Sequence, residues 1–120
     1  MLRLRRESDI RRSLQEGRRF HSPCIVLHAR RRGPDEELPP LPRLAVVAGR
    51  RFRTAVARNR ARRVLRESSR LALAGGEAPW DLVVVARPEV LALSFPDRLN
   101  AIAELLREAK VLGGKSAVGI

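Results

Sequence analysis

Two periodicities divide this chain. Ile10, Ser13, Leu14 and Gly17 recur at helical spacing. With Ser8 as N-cap and Asp9 at the positive end of the helix dipole, they predict a helix over 9–16 that stops at Gly17. So short an apolar stripe cannot stand alone, so this helix must lie on something. Arg19-Phe20-His21 reads as a short extended piece before Pro23. From Cys24 to Arg30 the period becomes two: Ile25, Leu27 and Ala29 fall on one side, and Cys24, Val26, His28 and Arg30 on the other. That is a half-buried strand. Residues 31–42 hold Gly33, Pro34, Pro39, Pro40 and Pro42 and read as a long, partly disordered hairpin loop. Residues 43–49 form a second strand, antiparallel to the first if the loop simply reverses the chain. Residues 1–6 are basic and expected to be loosely held.

The helical period returns after Thr54, a candidate N-cap. Ala57, Ala61, Val64, Leu65, Ser68, Leu71 and Ala72 fall on one side of a helix, and Asn59, Arg62, Arg63, Arg66 and Arg70 on the other, with Arg58 and Arg60 on the flanks. Glu67 is the only nearby acid. Solvated helix faces usually mix signs along i, i+4 pairs, so this row points to a polyanionic partner. The helix fades at Gly75-Gly76. Residues 81–86 (DLVVVA) are apolar and β-branched, as in a central strand covered on both faces. Ser94-Phe95-Pro96-Asp97 resembles a capping box with proline in the first turn. It opens a last helix with Phe95, Leu99, Ile102, Leu106 and Ala109 on its core face. Phe20, Phe52 and Trp80 are also core candidates. The order αβββαβα makes the chain an α+β sandwich with a small sheet, one domain over residues 1–112 and a flexible tail over 113–120.

Composition sharpens the partner more than the fold. The formal net charge is +12, and Lys110 and Lys115 are the only lysines, so arginine carries the charge. Its planar fork of donors suits structured nucleic acid. Cys24 is the only cysteine, and His21 and His28 the only histidines. An internal disulfide is excluded, and a protein-built metal site is not expected. No apolar run is long enough to span a membrane and no signal segment is visible, so a cytoplasmic location is expected. Paired carboxylates, nucleophile–base sets and metal clusters that could carry hydrolysis are not found.

The run from Ala55 to Glu67 (AVARNRARRVLRE) resembles the signature of the bacterial ribonuclease P protein component: an Arg-Asn-Arg core, two basic residues, then apolar residues and Arg. Arg50-Arg51 ends the preceding strand, and Val83-Val84-Val85-Ala86-Arg87 follows, as in that family. The resemblance covers about residues 3–112. It implies a small mixed sheet with a left-handed strand–helix–strand crossover, where the default hand is right. It also implies the protein subunit of a ribonucleoprotein that removes the 5′ leader of precursor tRNA. The catalytic RNA subunit would hold the Mg²⁺ and do the chemistry. The partners implied are that RNA and precursor tRNA, with no obligatory protein partner, no membrane and no cofactor bound by the protein itself.

By position, the resemblance assigns Arg50, Arg51, Arg58, Asn59, Arg60, Arg62, Arg63 and Arg66 to the RNA subunit. Asn59 could instead cap local backbone groups. It assigns Ile10, Leu14, His28, Arg30 and Arg87 to the leader, in a cleft between the first helix and the sheet. There this chain departs from its relatives, which usually carry phenylalanine at the positions of Ile10 and Leu14 and often tyrosine at that of His28. Plain core packing for Ile10 and Leu14, and a solvated sheet histidine for His28, stay open. The usual glycine is Ala45, the usual serine is Gly49, and Arg53-Thr54 replaces Gly-Asn. The main rival function is a structural RNA-binding protein of the ribosome, which would share size, charge and fold. A DNA-binding helix protein lacks helix-turn-helix spacing here. An aromatic-platform RNA reader lacks the rings.

Overall fold

The computed structural model describes residues 2–36, 38–76 and 78–112. The tail expected over 113–120 lies outside them. Along the chain run β1 (Leu2–Arg3), α1 (Glu7–Glu16), β2 (Arg18–His21), β3 (Ile25–Arg31), β4 (Arg43–Ala48), α2 (Ala55–Ala72), β5 (Trp80–Ala86), a 3₁₀ turn (Pro88–Ala92) and α3 (Phe95–Glu108). The sheet order is β1-β4-β5-β3-β2. The central strand is therefore the last one made.

That order corrects the expected hairpin. β3 and β4 run in opposite directions but do not touch, because β5 lies between them, antiparallel to β3 and parallel to β4. The apolar run of β5 needed covering on both faces and two strand partners, and the centre of the sheet supplies both. The N-terminus is also firmer than its charge implied. Leu2 and Arg3 pair in parallel with Arg43 and Leu44, and Leu4 is buried beside Ala45 and Val83.

On one face of the sheet α2 and α3 close the main core. Ile25, Leu27, Leu44, Val46, Leu82 and Val84 meet Ala61, Leu65, Ile102, Leu105 and Leu106. Each fully buried leucine there contributes about 1.5–3 kcal/mol relative to exposure. Cys24, expected beside Val26, instead joins this core ahead of β3. Thr54 caps α2 by accepting the Ala57 N–H at 3.0 Å, and Ser94 caps α3 by accepting that of Asp97 at 3.2 Å. Two expected core residues lie outside. Leu71 is 53% exposed and Ser69 is buried in its place, because the buried stripe of α2 turns toward Ser68 and Ser69. Phe95, in the first turn of α3, is 38% exposed.

On the other face lies α1. It begins at Glu7 rather than Asp9, and its N-cap is Arg6, whose side chain makes no cap bond, rather than Ser8. Ser13 is fully buried under the helix. Gly17 ends α1 in extended backbone, with φ −73°, so left-handed freedom is not what glycine supplies here. A Cβ at Gly17 would stand 2.5 Å from the Ser13 carbonyl oxygen and 3.1 Å from the Ala29 backbone, so glycine permits the close seat of α1 on β3.

The pairing register places three rows across this face. Arg43, Asp81 and Arg30 form the first, Ala45, Val83, His28 and Arg19 the second, and Val47, Val85, Val26 and His21 the third. The first row is ionic. The fully buried Asp81 carboxylate accepts hydrogen bonds from Arg43 Nε and Nη2, both at 2.7 Å, from Arg32 Nη1 at 2.7 Å and from Arg30 Nη2 at 3.2 Å. Glu36 accepts from Arg30 Nη2 at 3.1 Å and from its Nη1 at 3.2 Å, while Arg30 Nε is buried with no hydrogen-bond partner among the described residues. Arg32 also donates to the Pro39 and Leu41 carbonyls, so the residue 31–42 loop is tied down from inside. Burial alone would raise the Asp81 pKa, but the hydrogen bonds and charges of Arg43 and Arg32 overcome it and hold the carboxyl below its ordinary value. Chiefly through its hydrogen bonds from Arg30 and the Gly33 N–H, Glu36 falls from 4.5 to about 2.

Removing a buried partner leaves uncompensated charge, so Asp81→Asn should cost about 3–5 kcal/mol in urea unfolding. A loss under about 1 kcal/mol would show that the three arginines find other partners. Both carboxyls are depressed in the folded state, so their contribution is complete above their ordinary values and falls away in acid. For Glu36 the window runs from 4.5 down to about 2. The wild-type urea midpoint should drop across that window, and Glu36→Gln should flatten the drop.

Candidate nucleic-acid interface

The arginines of α2 sort by helix geometry into two outward-facing columns, Arg62 and Arg66 of the first being half-buried. Asn59, Arg62, Arg66 and Arg70 lie along one, and Val56, Arg60, Arg63 and Glu67 along the next. The first column contains no acid. Arg62 and Asn59 are joined, the guanidinium donating to the amide oxygen. Asn59 thus orients an arginine instead of capping backbone. Burial, then the charges of Arg3 and Arg62, push the Arg66 guanidinium below its ordinary pKa. Among the described residues, Arg58, Arg60, Arg62, Arg63 and Arg66 form no ion pair. Arg50 and Arg51 are exposed in the turn after β4. Val56 is 78% exposed on the same helix, an apolar contact that its sequence position did not flag.

The second candidate surface is the sheet face around α1, and the residues expected there separate. Ile10 is half-buried against Leu4, Ala45 and Val83, so it partly serves the fold. Leu14 is 40% exposed on the flank of α1. His28 is half-buried in the second row. Burial, then the Arg19 charge, lowers its pKa, and its Nδ1 is buried with no hydrogen-bond partner among the described residues. Arg87 donates to the Ser22 carbonyl at 3.1 Å and still faces an open groove of about 400 Å³ with Val26, Val85, Gly49, Arg50 and Arg51. Arg30 does not belong with them. It is 7% exposed and its guanidinium is held by Glu36 and Asp81, because the first row of this face is the ion cluster.

Sequence reasoning missed the third row. Val47, Val85 and Val26 form an apolar strip that leads to the exposed ring of His21, and Arg50, Arg51 and Arg87 stand at its end. The alternation within each strand was visible, but only the register across β4, β5 and β3 aligns the valines.

An α+β fold with helices on both faces of its mixed sheet, rather than the two layers expected, an acid-free arginine column on one helix and a cation-rimmed apolar strip on the sheet is a small basic protein suited to a polyanion. The family model described as Ribonuclease P matches residues 1–110. The chain belongs to the ribonuclease P protein family. It is 43% identical over 114 residues to the ribonuclease P protein component of Chloroflexus aurantiacus, covering 92% of this chain and 78% of that one. It is 33% identical over 113 residues to that of Roseiflexus castenholzii, covering 93% and 88%. The fold is similar to the RNase P protein from Thermotoga maritima, with TM-score 0.72 at 25% identity over 90% of this chain and 97% of that one. The Staphylococcus aureus RNase P protein superposes with TM-score 0.76 at 22% identity, over 94% and 99%.

If the two columns of α2 neutralise about five phosphates, binding to a structured RNA should fall with a log–log salt slope of roughly −3.5 to −4.5. That is about two to three decades between about 50 and 200 mM salt. A flat titration would remove the helix from the contact. Arg62→Ala with Arg63→Ala should weaken binding while shifting stability by less than about 0.5 kcal/mol per residue, since Arg63 is exposed and the half-buried Arg62 is hydrogen-bonded only to the exposed Asn59 among the described residues.

Proposed function

We propose that this chain is the protein subunit of ribonuclease P, binding the enzyme's catalytic RNA through Arg50, Arg51, Arg58, Asn59, Arg60, Arg62, Arg63 and Arg66. The acid-free column of α2 carries this reading. The sheet face around α1 takes the 5′ leader of precursor tRNA, with Ile10, Leu14, His28 and Arg87 beside the valine strip. Arg30 is withdrawn from that set. The strip suits a leader of any sequence: apolar side chains accept every base face, and the arginines at its end hold backbone phosphates.

Hydrolysis of the leader belongs to the RNA subunit in this reading, and Mg²⁺ bound there supplies the nucleophile and charge stabilisation. The donor set of the protein does not fit a metal: among the described residues no three His, Cys, Asp or Glu side chains gather, and Asp9, Glu36 and Asp81 are committed to arginines. The protein's part is to hold two polyanions together. Its formal charge of +12 offsets repulsion that Mg²⁺ would otherwise have to screen. No helix among the described residues is long and apolar enough to cross a membrane, and the substrate places the protein in the cytoplasm.

Reconstitution tests this directly. The cognate RNA subunit and a precursor tRNA at low Mg²⁺ should cleave slowly alone and much faster with the protein, while the protein alone cuts nothing. Leader removal by protein freed of RNA, or no rescue, would overturn the reading.

His28 gives a finer check. Its lowered pKa keeps the ring neutral at pH 7 and above, so it acts as a stacking surface and not a charge. His28→Ala should loosen a long-leader precursor by about 1 kcal/mol, the low end for base stacking, equally at pH 7 and 8. The loss should disappear when the leader is one nucleotide. Equal losses on both substrates would place His28 away from the leader.

A further inference from the structure

Arg3 is the one basic residue of β1, and the parallel pairing turns it to the same face as Leu44, toward α2. There it lines a cavity of about 280 Å³ with Arg66, Arg70, Leu2 and Leu44. Three guanidiniums thus converge on one space. Among the described residues none of them forms an ion pair or donates a side-chain hydrogen bond. Elsewhere in this protein, arginines that gather are neutralised: Arg30, Arg32 and Arg43 share Asp81. Like charges left facing one cavity cost folding free energy, and an anion seated between them returns it. The lowered Arg66 pKa, from burial and then from Arg3 and Arg62, reports that tension.

We propose that Arg3, Arg66 and Arg70 form a phosphate-binding pocket that seats one backbone phosphate of the RNA subunit and extends the RNA interface from α2 onto β1. This rests on the reading of α2 as the RNA face. A polymer is favoured over a free ion because Arg3, Leu44 and Arg66 are shared between this pocket and a neighbouring groove. Arg66 continues the column from Arg62, and Arg3 and Arg66 also line a groove of about 400 Å³ that passes Leu44 to Ala45 and Ile10. Arginine forks match phosphate oxygens bidentately, so three of them can saturate one phosphate.

The test uses the full chain and the cognate catalytic RNA. Arg3→Gln and Arg70→Gln, alone and together, should each weaken binding several-fold. The log–log salt slope should become shallower by about one for the pair, not two, because both residues address one phosphate. Arg107→Gln, on the exposed side of α3, controls for net charge and should change nothing. In a second arm, inorganic phosphate at constant ionic strength should raise the Tm of the wild type more than that of Arg70→Gln. Arg3 and Arg70 are exposed; should Arg3→Gln still melt early, Arg70→Gln carries the test alone. Wild-type affinity and slope in the Arg70 variant, with binding lost in Arg62→Ala/Arg63→Ala, would overturn the pocket and leave the α2 reading intact. Unchanged binding in both sets would overturn both. A phosphate effect without an RNA effect would make this a free-anion site and overturn the proposal.

Discussion

One carboxylate holds this fold at its most crowded point. Asp81 is fully buried, yet it gathers Arg43 from β4, Arg30 from β3 and Arg32 from the loop beyond, so both neighbours of the central strand are clamped to it at one end. Arg30 and Arg32 are buried and Arg43 half-buried, and the acids of a single row neutralise all three. The ends of that row anchor two further segments, α1 through Asp9 on Arg43 and the long loop through Glu36 on Arg30 and the carbonyls on Arg32.

The clamp separates arginines used by the fold from those left without an acid partner. Those facing Asp81 and Glu36 are spent on the fold. Those on α2, at the end of β4 and at Arg87 retain free donors. The molecule therefore carries a charge imbalance by construction, strongest along the column of α2 that contains no acid. Repulsion along α2 lowers the stability of the free protein, and a polyanion that binds only the folded state restores it by linkage.

Much of this was legible in the residues. The period of α2, its Thr54 cap, its Arg-Asn-Arg core and the buried character of β5 all follow from local pattern, because propensity, capping and patterning agree there. What was not legible depended on pairing between distant segments. β1 looked like a charged tail because two residues of strand carry almost no periodicity, and only Arg43 and Leu44 of β4 give them partners. Arg30 looked like a surface residue because alternation places it beside His28; its acids lie at Glu36 and Asp81, the second of them fifty-one positions away. The valine strip and the ring of His21 needed the register of four strands. Asp81 itself read as the polar first residue of an apolar strand, a position that normally faces water.

The position of β5 has a consequence for how the chain reaches this state. During synthesis β3 and β4 emerge well before the strand that joins them. Until β5 is available only the β2–β3 hairpin and the β1–β4 pair can close, and the inner edges of β3 and β4 have no hydrogen-bond partners. The apolar faces of α1 and α2 then have no finished sheet to cover. Such a topology is dominated by contacts between distant segments, so it assembles late, cooperatively and slowly for its size. In the finished sheet the proline-rich loop between β3 and β4 spans the width of one strand, the place that β5 takes.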